Sequence, residues 1–280
     1  MPFTISSQLI QHQVEQALTE DIGSGDVTAV LLPENKQITA TVISRQSAVI
    51  AGCDWFAEVF RQLDPSIRIN WHCADGDRLE EEQILCELQG LVRPVVTGER
   101  TALNFLQTLS GTATTTRHYV DRIAGTDAQV LDTRKTLPGL RLAQKYAVSC
   151  GGGSNHRIGL YDMVLIKENH IIAAGSILNA VKTARRLSPK LEIEVEVENL
   201  EQLDEALQAG VERILLDNMS LRALRQAVTL NSGRAKLEAS GGITFDNIRS
   251  VAETGVDFIS VGALTKDVQA VDLSMRIKED

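Results

Sequence analysis

Basic side chains gather in one segment of an otherwise acidic chain. From Asp132 to His170 there are six Lys and Arg residues and three acids, a net charge of +3, whereas the whole 280-residue chain carries −9. Three motifs hold most of these cations: Asp132-Thr-Arg-Lys-Thr136, Gly151-Gly-Gly-Ser-Asn-His-Arg157 and Lys167-Glu-Asn-His170. Clustered cations repel one another in a folded protein, and a bound anion offsets that repulsion. The segment therefore predicts a site for a small, strongly anionic ligand.

Each of these cations also has an ordinary alternative role, because most Arg and Lys side chains form surface ion pairs. The sequence context argues against that role for four of them and for His156. Arg134 and Lys135 come just after an apolar run, Lys167 ends another, and His156-Arg157 follows a triple-glycine loop that can fold over a ligand. His170 has two open roles, supporting a binding residue or capping a helix.

Two acids and two glycine turns lie further along the chain, each after an apolar run. Glu196 and Asp217 are placed to bind ribose hydroxyls, to coordinate Mg²⁺ or to stabilise a developing cationic sugar. Glu198 has two open roles, a place at the same mouth or a place on an exposed strand face. The turns Ser240-Gly-Gly242 and Val261-Gly-Ala263 expose backbone N–H groups. One such turn is ordinary, but two in succession match the phosphate site that βα barrels build after their last two strands.

The second half of the chain repeats a strand–helix unit that would position these residues. Segments with helical periodicity, such as 200–209, 221–230 and 245–253, alternate with short apolar runs. The runs are 129–132, 163–166, 191–195, 214–216, 237–239 and 258–261. This alternation predicts a parallel sheet, and its regularity favours a closed βα barrel over an open doubly wound sheet. Because functional residues of such barrels follow the strands, the candidates would meet at one mouth.

The first half has a different pattern. Residues 38–44 and 67–71 alternate apolar and polar side chains, which predicts antiparallel strands, and residues 14–18 and 54–63 have helical periodicity. We interpret this half as a separate α+β domain. A long helix over residues 98–123 is expected to join the halves.

The composition excludes several classes of protein. With 43% hydrophobic and 23% charged residues the chain is typical of a soluble globular protein, and a pI near 5.2 argues against binding to nucleic acid or to anionic membranes. The start lacks the pattern of a secretory signal, and no apolar run approaches about 18 residues, so we expect a cytoplasmic protein. Four cysteines show no metal-binding or disulfide spacing and are expected to be buried thiols: Cys53, Cys73, Cys86 and Cys150.

Taken together, the motifs resemble those of the quinolinate phosphoribosyltransferase family, which is also called nicotinate-nucleotide pyrophosphorylase (carboxylating). The resemblance rests on 132–141, 151–157, 162–170, 194–198, 214–218 and 238–243, and extends to 20–28 and 98–104, so it covers nearly the whole chain. It implies an α/β fold in which an N-terminal α+β open sandwich domain (1–110) precedes an incomplete βα (TIM-like) barrel (111–267). The tail, 268–280, would pack on the first domain.

The resemblance also implies the reaction and the assembly. The family joins quinolinate to 5-phosphoribosyl-1-pyrophosphate (PRPP) with Mg²⁺, gives nicotinate mononucleotide, pyrophosphate and CO₂, uses no organic cofactor, and works as a homodimer or a multiple of one. By motif, Lys135, Glu196 and Asp217 would be catalytic, the two acids also serving Mg²⁺ directly or indirectly. Quinolinate would be bound by Arg134, His156, Arg157, Lys167 and, from the neighbouring subunit, Arg100. PRPP would be bound by Thr133, Lys135, Ser240, Gly241, Gly242, Val261, Gly262 and Ala263.

Three alternatives remain open from the sequence. A quinolinate-phosphoribosyltransferase-like protein found with molybdate transport genes shares the fold, although the complete set of Arg134, His156, Arg157 and Lys167 argues against it. A βα-barrel aldolase or isomerase would use Lys167 as a Schiff base, which needs an apolar or cationic setting for that amine. A non-catalytic phosphate-binding module would leave Glu196 and Asp217 without a role.

Overall fold

The computed structural model describes residues 4–278, which divide into two compact units. The first comprises the chain up to Arg117, then Leu137–Gly152 and the residues from Asp267; the second comprises His118–Thr136 and Gly153–Lys266. The division differs from the predicted ranges 1–110 and 111–267, because residues 137–152 belong to the first unit. The tail from Asp267 also belongs to it.

The first unit is built on an antiparallel sheet whose strands are β1 (Gln37–Ser44), β3 (Arg68–Trp71), β5 (Ile84–Leu91) and β12 (Leu273–Ile277). They lie in the order β12-β1-β5-β3. In the same unit, β2 (Ala48–Val49) pairs with β4 (Arg78–Leu79). Its helices are α1 (Ser7–Ile22), α2 (Cys53–Leu63), α4 (Arg141–Cys150) and most of α3 (Val92–Arg122), besides a 3₁₀ turn at Ala29–Leu31. The core includes Trp55, Phe56 and Phe60 of α2, all fully buried.

The second unit is a six-stranded parallel sheet with helices between its strands. Its strands, in the order β6-β11-β10-β9-β8-β7, are β6 (Gln129–Leu131), β7 (Val164–Ile166), β8 (Ile193–Val197), β9 (Arg213–Asp217), β10 (Lys236–Ser240) and β11 (Phe258–Ser260). The helices are α5 (Glu168–Ala174), α6 (Ile177–Leu187), α7 (Leu200–Gln208), α8 (Leu221–Asn231), α9 (Ile248–Ala252) and α10 (Ala263–Lys266). β6 and β7 do not pair in the described chain. The incomplete barrel implied by the resemblance is confirmed, and the closed barrel favoured by periodicity alone is wrong.

Local sequence explains where these helices begin. The side chains of Ser176, Asn199 and Ser220 accept hydrogen bonds from the first turns of α6, α7 and α8 at 2.9–3.3 Å, the usual N-cap arrangement. α9 is shorter than the periodicity predicted, since it starts at Ile248 rather than Phe245. Thr244 and Asn247 exchange side-chain and backbone hydrogen bonds there, which hold the chain in a turn before the helix.

The four cysteines are free thiols in the first unit, buried or half-buried as expected. Burial raises all four thiol pKa values, that of Cys73 to about 11 and that of Cys150 to about 12. Between residues 4 and 278, no helix has the length and apolar character needed to cross a membrane.

Candidate active site

A cavity of about 580 Å³ opens where the parallel strands of the second unit end. Its wall consists of Thr133, Arg134, Lys135, His156, Arg157, Leu165, Lys167, Glu196, Leu215, Asp217, Asn218, Glu238, Ser240, Gly241, Gly242 and Ser260. Eleven of these sixteen residues are ones that the sequence predicted. The topology explains the convergence, because the carboxyl ends of neighbouring parallel strands meet at one edge of the sheet.

A buried aspartate positions the His156-Arg157 loop beside β6. Asp132, directly after β6, accepts hydrogen bonds from the His156 backbone N–H (2.9 Å) and the Asn155 side chain (2.7 Å). Ser154 forms a parallel bridge with Leu131 of β6. The loop therefore lies along β6, the strand at the open edge of the sheet, and carries Arg157 into the cavity wall.

Two guanidinium groups lie close together in this wall. Burial, followed by the nearby charge of Arg134, lowers the pKa of Arg157. The Arg157 side chain also donates to the carbonyl of Met163 at 3.5 Å. Two neighbouring guanidinium groups are unfavourable by themselves and favourable around an anion, since each can bind a carboxylate through two parallel hydrogen bonds.

The two candidate acids hold different partners at the mouth. Glu196 forms an ion pair with Lys167, whose Nζ lies 2.5 Å from a carboxylate oxygen. Asp217 accepts a hydrogen bond from the side chain of Asn218 at 2.7 Å. Each acid thus keeps a fixed orientation, with Glu196 inside β8 and Asp217 at the last position of β9.

Lys135 lies against the glycine that follows β11. The Lys135 Cδ would be 3.1 Å from a Cβ at Gly262, so this position favours the absence of a side chain. The Lys135 backbone N–H donates to the Thr133 hydroxyl (3.1 Å), and its carbonyl accepts from Thr265 (2.7 Å). Thr133, Lys135 and Gly262, three predicted PRPP residues, are therefore neighbours.

The Gly241-Gly242 turn requires glycine for a conformational reason. Both residues have positive φ angles, +88° and +61°, and a Cβ at Gly241 would collide with the side chain of Asn218. The backbone of Asn218 also has a left-handed conformation, with a φ of +53°. The Asn218 N–H donates a hydrogen bond to the carbonyl of Ser240 at 2.9 Å. The ends of β9 and β10 are thus held together by this hydrogen bond and by the close packing of Asn218 against Gly241. Because α9 starts only at Ile248, this turn offers backbone N–H groups to a phosphate but not a helix N-terminus.

A charged layer lies beneath the mouth. Side chains two positions apart on a strand point the same way, so Glu194 lies below Glu196, and Glu238 below Ser240. Both deeper acids are fully buried and contact Arg213. Burial raises the pKa of each carboxyl group. Among the described residues, Glu194, Glu238 and His156 are the one acid–histidine group spaced to hold a metal, but Arg213 already supplies positive charge to both acids.

Some predicted residues lie outside the cavity wall. Val261, Gly262 and Ala263 follow β11 at its edge, and Arg100 is an exposed residue of α3 in the first unit. Arg141 and Lys145, counted in the cationic segment, lie on α4 of the first unit, so four cations of that segment, not six, line the cavity. His170 accepts the Lys167 N–H at 3.0 Å and caps α5, which answers one of its two open roles.

Five wall residues were not predicted: Leu165, Leu215, Asn218, Glu238 and Ser260. Three of them, Leu215, Glu238 and Ser260, lie within strands and face the cavity. The sequence does not give the strand bounds exactly enough to show which strand residues face inward. Asn218 follows Asp217 directly, and an Asn after a strand end is a common left-handed residue. That signal was present in the sequence.

Comparison with known families decides the identity of the fold. A model of the quinolinate phosphoribosyl transferase N-terminal domain matches residues 26–110, and a model of the C-terminal domain of the same enzyme matches residues 112–276. The chain belongs to the quinolinate phosphoribosyltransferase family. The resemblance carried by the motifs is confirmed.

Individual members of the quinolinate phosphoribosyltransferase family align with nearly the whole chain. The chain is 42% identical over 259 residues to a probable nicotinate-nucleotide pyrophosphorylase (carboxylating) of Bacillus subtilis, covering 92% of this chain and 90% of that protein. It is 43% identical over 269 residues to the Mycobacterium leprae enzyme, covering 94% and 95%. The structure of the nicotinate-nucleotide pyrophosphorylase from Francisella tularensis superimposes with a TM-score of 0.97 at 46% identity, covering 99% of both chains.

Proposed function

We propose that the cavity joins quinolinate to PRPP and removes the 2-carboxylate, giving nicotinate mononucleotide, pyrophosphate and CO₂, as a step of NAD biosynthesis. The observation that carries this proposal is the composition of one wall. It combines four cations, two carboxylates at strand ends and a left-handed glycine turn. A dicarboxylate and a phosphorylated sugar together require these three kinds of group, and family membership points to the same reaction.

Quinolinate would be held by Arg134, Arg157 and Lys167. The two guanidinium groups are near one another and can each bind a carboxylate in a bidentate manner. Lys167, held by Glu196 at the mouth, would add a point charge. Binding both carboxylates fixes the ring plane, and so the direction of the pyridine nitrogen lone pair. His156, which was also predicted to bind quinolinate, lies in the same wall.

PRPP would be bound by the glycine turns and Lys135. Ser240, Gly241 and Gly242 would bind the 5-phosphate through backbone N–H groups, with Val261–Ala263 as the adjoining wall. Lys135, seated over Gly262 beside Thr133, would bind the pyrophosphate and stabilise the charge that develops as it leaves.

The transfer step needs no covalent nucleophile. The pyridine nitrogen would attack C1 of the ribose while the C1–oxygen bond to pyrophosphate breaks. Glu196 and Asp217 would stabilise the positive charge that develops on the sugar, since each carboxylate is fixed by a partner. The C2–carboxylate bond then breaks, CO₂ departs, and the positively charged ring nitrogen stabilises the carbanion left at C2 until C2 takes up a proton from water.

Mg²⁺ suits the acids at the mouth. Carboxylate oxygens are the protein ligands that this ion prefers, and it usually keeps water and substrate phosphate oxygens for its other positions. Glu196 and Asp217 would hold it directly or through water. When bound with PRPP, the ion would neutralise the pyrophosphate leaving group.

Arg100 gives a reason to propose a dimer. Arg100 is an exposed residue of α3, and the family motif assigns it to the active site of the neighbouring subunit, so we propose a homodimer or a multiple of one. We place the enzyme in the cytoplasm, whose reducing conditions keep cysteines in the free form that all four have here.

Competition between acceptors tests the proposed function. With PRPP and Mg²⁺ present, quinolinate should yield nicotinate mononucleotide, while nicotinate, which lacks the 2-carboxylate, should react at least 100-fold more slowly, because about 3 kcal/mol of charged hydrogen bonding is lost. Equal rates for the two acceptors would contradict the assignment.

The Schiff-base alternative is disfavoured by the setting of Lys167. Its ammonium group is half-exposed and paired with the Glu196 carboxylate, and this ion pair would have to break before the amine could attack a carbonyl. Borohydride trapping with carbonyl substrates should accordingly leave Lys167 unmodified.

A further inference from the structure

His156 lines the cavity, yet both nitrogens of its ring contact protein groups. The Nδ1 atom accepts the backbone N–H of Arg157 at 2.7 Å. The Nε2 atom lies 3.0 Å from an oxygen of Glu194 and 3.5 Å from an oxygen of Glu238. An imidazole that accepts at one nitrogen must carry its proton on the other, so Nε2 is the donor to the two acids.

The acids that receive this proton belong to a buried ion network. Arg213 Nε lies 3.0 Å from Glu194, and its terminal nitrogen donates to Glu238. The guanidinium also lies over the Phe258 ring, 4.4 Å from its centre. The network draws on β8, β9, β10 and β11, and each of its charged members is at most 8% exposed. Removing charges from water is costly, so such a network in a barrel core needs a compensating role.

The network meets the cavity at Glu238 and His156, which both belong to its wall. His156 connects it to Arg157, whose side chain lies in the wall beside Arg134. On its other side, Asp132 holds the His156 backbone N–H. The imidazole therefore contacts the buried ion network through Nε2 and the loop that carries Arg157 through Nδ1.

We propose that Glu194, Glu238 and Arg213 are positioning residues, which lock the His156 ring so that it supports the Arg157 loop rather than binding quinolinate through a ring nitrogen. This inference rests on the proposed function, because it assigns Arg157 to quinolinate. A carboxylate misplaced by about 1 Å costs a large part of its binding energy, so a loosened ring would weaken quinolinate binding selectively.

Matched glutamine substitutions test the positioning role. Glu194→Gln and Glu238→Gln keep shape and one oxygen but remove the charge that holds Nε2–H. We expect each to raise the KM and the calorimetric Kd for quinolinate about tenfold, a loss of about 1.4 kcal/mol, and to change the KM for PRPP less than twofold. Glu201→Gln, at an exposed position of α7 outside the network, is the control and should behave as wild type.

Substitutions of His156 separate support from direct ligation. Gln places an amide nitrogen near the position of Nε2, and Asn places one near Nδ1. We expect His156→Gln to keep most of the quinolinate affinity, since it still donates to the acids, and His156→Asn to lose at least tenfold. The reverse order would overturn the proposal.

Nitrogen NMR of the imidazole gives a readout that does not depend on catalysis. The proposal requires Nε2 to be protonated and Nδ1 to be an acceptor in the wild-type protein, and a mixture of ring states in Glu194→Gln. A wild-type Nδ1–H tautomer, equal changes in both KM values, or a stoichiometric metal bound by the two acids would each overturn it. Wild-type turnover, measured in the same preparation, tests the proposed function separately.

Discussion

Arg157 is the residue in which position and charge matter most. Its pKa is lowered by burial and by Arg134, so the unliganded wall carries a repulsion that an anion would relieve. Arg157→Lys keeps the charge and removes the planar fork that matches a carboxylate. We expect the KM for quinolinate to rise by about tenfold to 100-fold, with the KM for PRPP nearly constant, in steady-state assays.

Arg186→Lys is the control for this change, because Arg186 is an exposed residue of α6. It should leave both constants unaltered. An Arg157→Lys enzyme with a normal quinolinate KM would show that the carboxylates bind elsewhere.

Gly241 tests the glycine turn at the same scale. An alanine there would meet the Asn218 side chain and would also bear the strain of φ +88°. We expect Gly241→Ala to raise the KM for PRPP at least about tenfold, since the turn and the Asn218–Asp217 contact would shift together. Steady-state assays at varied PRPP concentration measure the effect.

Gly233→Ala separates strain from collision. Gly233 has a similar φ of +78°, but no atom lies within 4 Å of its added Cβ. This variant should lose about 1 kcal/mol of stability and bind PRPP normally. If both variants bind PRPP equally well, the turn does not hold the phosphate.

At the scale of elements, the last strand is an integral part of the first unit. β12 pairs with β1 in antiparallel register, and Met275 of β12 is 9% exposed, opposite Val42. Met275→Asp would bury a charge without a partner, so we expect a loss of about 3 kcal/mol in the free energy of unfolding. Urea unfolding followed by circular dichroism measures it.

Ile277→Asp is the matched control, on the same strand and 45% exposed. It should cost less than about 1 kcal/mol. Equal losses in the two variants would mean that the strand does not pack as described.

For the whole molecule, the predicted dimer has a consequence for mixed subunits. If Arg100 serves the site of its neighbour, Arg100→Ala and Arg157→Ala dimers would each be inactive, whereas a heterodimer of the two would have one intact site. Mixing equal amounts under conditions of subunit exchange should restore about a quarter of wild-type activity. No recovery, with exchange verified by mass spectrometry, would reject the shared site.

The sequence predicted the strand–helix alternation and most of the cavity wall, because strand ends in a parallel sheet converge and motifs such as Asp132–Thr136 follow strands directly. The periodicity alone did not reveal that β6 and β7 leave the barrel open, because periodicity indicates strands but not their pairing; the family motifs implied the incomplete barrel. Nor did the sequence separate Lys145, whose side chain is fully buried in the first unit, from the cations of the site. A count of charges along the chain does not show which of the two units each charged side chain belongs to.

The alternating glutamates in β8 and directly beside it illustrate the same limit. Glu192 and Glu198 are exposed, Glu196 is at the mouth and Glu194 is fully buried. The alternation indicated a strand, but the depth of each acid depends on where the strand enters the sheet. The partner of Glu194, Arg213, lies on another strand, at a distance that only the register of β8 with β9 sets.

The release of CO₂ tests the central claim most directly. Quinolinate labelled in its 2-carboxylate should release labelled CO₂ only when PRPP and Mg²⁺ are both present, in a one-to-one ratio with pyrophosphate. Label retained in the product, or CO₂ released without PRPP, would contradict the account.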